Sequence, residues 1–240
     1  MSTKSFNIII SGGGMVGMAV ANALAQSDFK IAVIESREPQ SFDISQNYDL
    51  RVSAVTLETV DFLKNMDVWD SVIETRTCPL KAMRVWEESG FGDVTFNAKT
   101  IGEDYIGYII ENRILQLALW EKAKSDANIK ILKDTLVTTY NFKDHLIALE
   151  DKSVGKPQDN NKPELVLHKI RTKQTILANG HIERFISFRN NDLPGVMLAA
   201  SFEKYIHRYG AVSYTHLRAH ETPEQRRCRL LVEKKSGGGG

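Results

Sequence analysis

Hydrophobic positions fall in short runs along the chain, and their spacing changes from one run to the next. Phe6-Asn7-Ile8-Ile9-Ile10-Ser11 is a β-branched apolar run of the length of a buried strand. Met18-Ala19-Val20-Ala21-Asn22-Ala23-Leu24-Ala25-Gln26 is rich in small residues, which predicts a helix able to lie close against a sheet. Lys30-Ile31-Ala32-Val33-Ile34-Glu35 repeats the strand pattern, so the first 35 residues predict a βαβ unit with parallel strands. Downstream, Tyr48 to Val55 leads into Thr56-Leu57-Glu58-Thr59-Val60-Asp61-Phe62-Leu63, which has helical spacing and a polar start. Met83-Arg84-Val85-Trp86 and Val94-Thr95-Phe96 read as strands around a turn at Gly90-Phe91-Gly92. Ile106 to Arg113 enters a helix, Ile114 to Trp120, that runs to about Lys124. The polar stretch Val154 to Glu164, with Pro and Lys, reads as an exposed loop.

Between the first strand and helix stand Gly12-Gly13-Gly14-Met15-Val16-Gly17. Gly12, Gly14 and Gly17 fill a G-x-G-x-x-G pattern in the context that gives it meaning, a strand before and a helix after. Gly12 serves the tight turn, Gly14 the close approach of backbone to a pyrophosphate, and Gly17 the packing of helix against strand. The helix N-terminus, at Met15 and Val16, offers free N–H groups and a positive dipole end to the phosphates. Glu35 closes the second strand about twenty residues on, where an acid accepts from a ribose hydroxyl pair, with Ser36 beside it. The motif therefore predicts dinucleotide binding through residues 12–17, Glu35 and Ser36. Arg37, in the following turn, either touches an adenosine or faces solvent. Arg51 precedes a predicted helix, where its fork could hold phosphate or an anionic ring edge; an ordinary surface ion pair is the other reading.

Composition narrows the class. The 240 residues are 42% hydrophobic, enough for a real core in one large or two modest domains. No apolar run approaches the roughly 18 residues of a membrane helix, and glycines interrupt Ile8-Ile9-Ile10 too early for a signal peptide, so a cytoplasmic location is expected. Net charge is +1, but six Lys and Arg stand against three Glu from Val212 onward, so the body before that point carries −2 and shows no nucleic-acid footprint. Of two cysteines, Cys78 reads as a packed or loop thiol and Cys228 lies near the C-terminus, so no disulfide framework is expected. His145, His168, His181 and His207 are scattered without a pair at ligand spacing, and no metal site is expected. Neither Gly-x-Ser-x-Gly nor Cys-x-x-Cys is present, which leaves hydrolase and thiol-redox chemistry without residues.

The glycine motif with Glu35, the segment Asp49-Leu50-Arg51-Val52-Ser53-Ala54, and Gly107-Tyr108-Ile109-Ile110-Glu111-Asn112 followed by Leu115-Gln116 together resemble the flavoprotein aromatic hydroxylases of ubiquinone biosynthesis. The resemblance covers about residues 5–124. It implies an α/β fold, a Rossmann-like FAD/NAD(P)-binding parallel sheet with flanking helices and an additional small β-sheet. It also implies that FAD is held by the glycine loop and Glu35, that Arg51 approaches the flavin, and that Asn112 and Gln116 lie beside the cofactor. The implied chemistry is reduction of FAD by NAD(P)H and hydroxylation of an electron-rich aromatic quinone precursor, a lipophilic substrate that could bring the protein to a membrane surface. No residue is singled out as catalytic.

From about Thr135 the likeness changes. Ala178-Asn179-Gly180, Asn190-Asn191-Asp192-Leu193-Pro194-Gly195-Val196-Met197-Leu198 and Tyr205 to Gly210 resemble the alpha subunit of heterotetrameric sarcosine oxidase, with Asn179 in place of an expected threonine. Two readings follow: a chimera joined between about Ala123 and Asp134, or one divergent flavoprotein. Val212 to Thr222, Cys228 to Lys235 and the terminal glycines resemble a translated sequencing adapter, which sets 212–240 apart from a binding domain at 1–211; a basic tail with a flexible linker is the alternative. Functionally, the expectation is an inactive fragment of an FAD-dependent monooxygenase. An amine-oxidising flavoprotein and a non-catalytic dinucleotide-binding module are the rivals.

Overall fold

In the computed structural model, the residues described are 3–87, 90–141, 145–151, 165–181 and 183–209. They fall into two compact units, Met1–Gly180 and His181–Gly240, where the sequence suggested one body through 211. The predicted loop at 154–164 and the tail at 212–240 lie outside the described residues.

The first unit begins with the expected β1 (Thr3–Ser11), α1 (Met15–Ala25) and β2 (Ile31–Ile34). Every residue of β2 is buried, as a strand covered on both faces requires. Next come β3 (Val52–Thr56), α2 (Leu57–Lys64), α3 (Trp69–Ile73) and β4 (Thr77–Leu80). Thr56 starts α2 by accepting the Thr59 amide on its side chain. The strand β3 was hidden in the sequence, so Arg51 precedes a strand rather than a helix. Cys78 lies exposed on β4, neither packed nor in a loop.

The hairpin β5 (Ala82–Trp86) and β6 (Asp93–Asn97) forms where predicted, clamped by the Arg84–Asp93 ion pair. Then β7 (Gly107–Glu111) delivers the chain into α4 (Asn112–Ser125), whose first residue is Asn112. Four strands complete the unit: β8 (Ile129–Leu132), β9 (Thr135–Asn141), β10 (His145–Asp151) and the long β11 (Leu165–Leu177).

The main sheet runs β8-β2-β1-β11-β10-β9. Its first four strands are parallel, while β10 and β9 continue it antiparallel. A three-stranded sheet β3-β7-β4 and the β5-β6 hairpin stand apart from it. One face of the main sheet packs α1 and α4 through Ile8, Ile10, Met18, Ala21, Leu115, Leu119 and Trp120; the other buries Ile9, Ala32, Ile34, Leu146 and Ile170. The β1–β2–β8 strand ends and the start of α1 thus come together at one edge. Asn22 reinforces this layer from inside, donating through Nδ2 to the Leu119 carbonyl of α4 at 3.0 Å.

In the second unit, α5 (Ala199–Tyr209) follows a turn-rich stretch. The Glu183 carboxylate accepts the first amides of α5, Ala199 N–H at 3.1 Å and Ala200 N–H at 3.0 Å. An acid there satisfies orphan donors and complements the helix dipole.

Candidate functional site

The glycine turn lies at the C-terminal end of β1, and each glycine has a different reason to be there. Gly12 sits at φ +105°, and a Cβ on it would overlap the Ala178 carbonyl. Ala178 is held in place by its amide, which donates to the Ser11 carbonyl at 2.7 Å, and Asn179 Oδ1 accepts from Ser11 Oγ at 2.7 Å. The Ala178-Asn179-Gly180 segment therefore flanks the turn. A Cβ on Gly17 would overlap the Gly12 carbonyl, which is the close helix–strand approach expected of the third glycine.

Gly14 differs: apart from its chain neighbours, no protein atom lies within 4 Å of where its Cβ would be. Its backbone, φ −69° and ψ −176°, is open to any residue, so neither packing nor strain explains a glycine at this position. It is the N-cap of α1, no side chain caps that terminus, and the first turn has no acid. Met15 and Val16 follow it with Val16 exposed. An uncapped helix start beside a bare backbone is what an anionic group would occupy, and the residues fit a pyrophosphate.

Glu35 faces the same turn. Its Oε2 accepts the Gly13 amide at 2.6 Å, and its Oε1 accepts Ser36 Oγ at 3.0 Å and the Arg37 amide at 3.1 Å. A carboxylate has about four acceptor positions, so one is left for a sugar hydroxyl. Arg37 contributes here through its backbone and is exposed.

The helix α4 supplies the other wall. Asn112 Oδ1 accepts from Ser53 Oγ at 2.6 Å, and its amide donates to the Arg51 carbonyl at 3.0 Å. One turn on, Gln116 Nε2 reaches the Gly13 carbonyl at 3.5 Å. One turn further, buried Trp120 donates Nε1–H to the same carbonyl at 2.7 Å. The predicted residues 12–17, Glu35, Ser36, Asn112 and Gln116 are therefore gathered around α1 and α4. The Arg51 backbone is tied to Asn112 and Asp49, and its side chain is exposed, with no hydrogen-bond or ion-pair partner among the described residues.

Sequence reasoning missed Trp120 and Glu111. Buried Glu111 accepts the Asp49 amide at 2.8 Å, Arg113 Nε at 2.9 Å and Arg76 Nη1 at 3.4 Å. Burial would raise its pKa, but the Asp49 amide and the two guanidinium groups outweigh it and hold the carboxyl below its ordinary range. The same arginines reach the 42–48 segment. Arg76 Nη2 donates to the Ile44 and Gln46 carbonyls, Arg113 Nη2 to the Asn47 carbonyl, and both lie over the Phe42 ring. The signal in the sequence was Arg113 alone, two residues beyond an acid at a strand end; Arg76 stands 35 residues upstream and reaches the acid only through the fold.

No protein-family model matches the chain. It is 35% identical over 152 residues to the 3-demethoxyubiquinol 3-hydroxylase of Escherichia coli, covering 63% of this chain and 39% of that protein. It is 31% identical over 188 residues to the ubiquinone biosynthesis monooxygenase COQ6 of Xenopus tropicalis, covering 73% and 38%. Among solved structures, the myxobacterial chondrochloren halogenase CndH, a variant of the FAD-dependent halogenases, aligns with TM-score 0.56 at 14% identity, over 75% of this chain and 38% of that one. The probable FAD-dependent monooxygenase PqsL of Pseudomonas aeruginosa aligns with TM-score 0.50 at 13% identity, over 72% and 42%. The chain has the fold shared by these FAD-dependent enzymes.

Its homologues are ubiquinone-biosynthesis hydroxylases, and the chain spans well under half the length of these relatives. An alignment over 73% of the chain cannot avoid residues 123–134, so this likeness runs through the interval where the sequence suggested a junction. Among the described residues, no group of three or more His, Cys, Asp or Glu could hold a metal, and no helix is long and apolar enough to cross a membrane. His168 is bonded to Glu150 at 2.5 Å between β11 and β10.

Proposed function

We propose that this chain is the FAD-holding part of a flavin-dependent monooxygenase that hydroxylates an aromatic ubiquinone precursor. The observation that carries the reading is the bare Gly14 backbone at the uncapped start of α1, beside Glu35, in a chain similar to quinol hydroxylases. Gly14 and the first amides of α1 would take the pyrophosphate, Glu35 and Ser36 the ribose, and Arg51, Asn112 and Gln116 the flavin side. FAD bound there would supply the oxygen chemistry once reduced, with NAD(P)H as donor; the protein's share is positioning and exclusion of water. A lipophilic quinol would bring the protein to a membrane surface from the cytoplasm.

By itself the chain is not expected to hydroxylate. Arg51, which would lie on the flavin side, is exposed, whereas hydroxylation needs the reacting ring enclosed and kept from water. Purified protein with FAD, NADH or NADPH, oxygen and a panel of polyprenyl phenols should give peroxide and no product. Hydroxylated product stoichiometric with donor consumed would show a complete enzyme. Flavin reduction by an amine, without a nicotinamide, would favour the amine-oxidase reading.

We further infer that the stretch 212–240 has an origin separate from the part before it; for the segment through about 210, the COQ6 likeness across 123–134 favours one divergent flavoprotein over a sarcosine-oxidase-like piece joined there. The tail reading rests on successive resemblance to adapter parts. Deleting 212–240 should leave the melting temperature and FAD affinity unchanged, because a translated adapter was never selected to pack. A fall of several degrees in a thermal melt would reverse that reading. Amplification from source DNA between α4 and β11 tests the other: a product matching the encoded sequence shows one gene through this region.

A further inference from the structure

Gly13 is held at both ends. Its N–H donates to Glu35 Oε2 at 2.6 Å, and its carbonyl accepts Trp120 Nε1–H at 2.7 Å. Gln116 reaches the same carbonyl only at 3.5 Å, the limit of a useful hydrogen bond. The Gly13 carbonyl and the Gly14 N–H belong to one trans peptide unit, so they point in opposite directions. With the carbonyl turned into the buried indole, the Gly14 N–H is turned away from α4, on the bare side of the turn. Three consecutive glycines would otherwise leave this peptide free to rotate, since glycine populates both signs of φ readily.

We infer that Trp120 is a positioning residue for the dinucleotide: its indole N–H fixes the Gly13–Gly14 peptide so that the Gly14 amide is preset toward the phosphates. This rests on reading the turn as a dinucleotide site. Trp120 is 1% exposed, too buried to meet a ligand directly, and acts through the peptide it anchors. Its ring also meets the space beside Gly13, 3.1 Å from where a Cβ would stand, so packing and hydrogen bonding both converge on this residue. Preset donors bind more tightly than donors that must first be ordered.

The test is ADP and FAD titration of the full chain and two variants. Trp120→Phe removes the donor with modest loss of ring. Replacement of Trp120 by benzothienylalanine keeps the two-ring shape and removes only the N–H, which guards against a phenylalanine variant that fails to fold. Both should bind ADP about tenfold more weakly than the parent, measured well below the melting temperature. Hydrogen exchange at the Gly14 amide should accelerate in both. A structural role alone would lower the melting temperature and leave the folded protein's affinity intact. Affinity within twofold of the parent in the benzothienylalanine variant overturns the inference. A parent that binds neither ADP nor FAD overturns the dinucleotide reading beneath it.

Discussion

Gly14→Val should abolish FAD binding while leaving the melting temperature of the protein where it was. The separation of the two effects is the informative part. A Cβ at this position meets no protein atom within 4 Å apart from its chain neighbours, and the extended backbone suits a β-branched residue, so the folded state is expected to accept the new side chain. The same side chain would stand where the pyrophosphate must approach the α1 amides. A loss of at least about a hundredfold in Kd is expected. Gly17→Val gives the contrast: its side chain would collide with the Gly12 carbonyl, so stability and binding should fall together. Isothermal titration with FAD beside a thermal melt checks both. Equal FAD affinity in parent and Gly14→Val would remove the turn from the binding site.

Glu111→Ala should be strongly destabilising. It leaves two guanidinium groups, those of Arg76 and Arg113, without their carboxylate and the Asp49 amide without its acceptor, all at a side chain only 4% exposed. Removing one partner of a buried charge cluster costs about 3–5 kcal/mol, or roughly 6–20 °C for a domain of this size. The acid dependence has a definite sign. The folded carboxyl is held below its unfolded value, so its stabilisation is present above the ordinary carboxylate pKa and is lost as pH falls through the lowered one. Urea denaturation from pH 7 down to pH 3 should show a slope for the parent that is shallower in Glu111→Gln. Identical pH profiles would mean that this acid is not the titrating contributor.

The βαβ unit was legible because everything that specifies it is local: two apolar runs, a small-residue helix and glycines between them. The hairpin at 82–97 was legible for the same reason, its turn glycines lying between two short strands. The long strand β11 was not, because its place beside β1 depends on pairing Thr3 through Ser11 with residues more than 160 positions away. No local pattern encodes such a partner. Trp120 escaped for a related reason. In the sequence it is one more apolar residue on a helix, and only the packing of α4 beside the glycine turn reveals that its N–H has a partner. Glu35 was placed correctly beside the turn, yet its tie to the Gly13 amide depends on how the β2 end meets that turn.

Residues 112, 116 and 120 of α4 reach Ser53, the far edge of the Gly13 carbonyl, and the same carbonyl again, while Lys124, four further on, pairs with Glu38. Spacing of four keeps these side chains on one side of the helix, about 6 Å apart along its axis. The helix thus works as a ruler laid along the binding edge, and its graduations are its sequence register. Inserting one alanine after Leu117 would leave Asn112 and Gln116 aligned with their partners and swing Trp120 and Lys124 about 100° around the axis. Apolar residues would then face the glycine turn in their place. Length is therefore under tighter constraint than composition between Asn112 and Lys124, and an indel there should damage the site more than most substitutions of its exposed side chains.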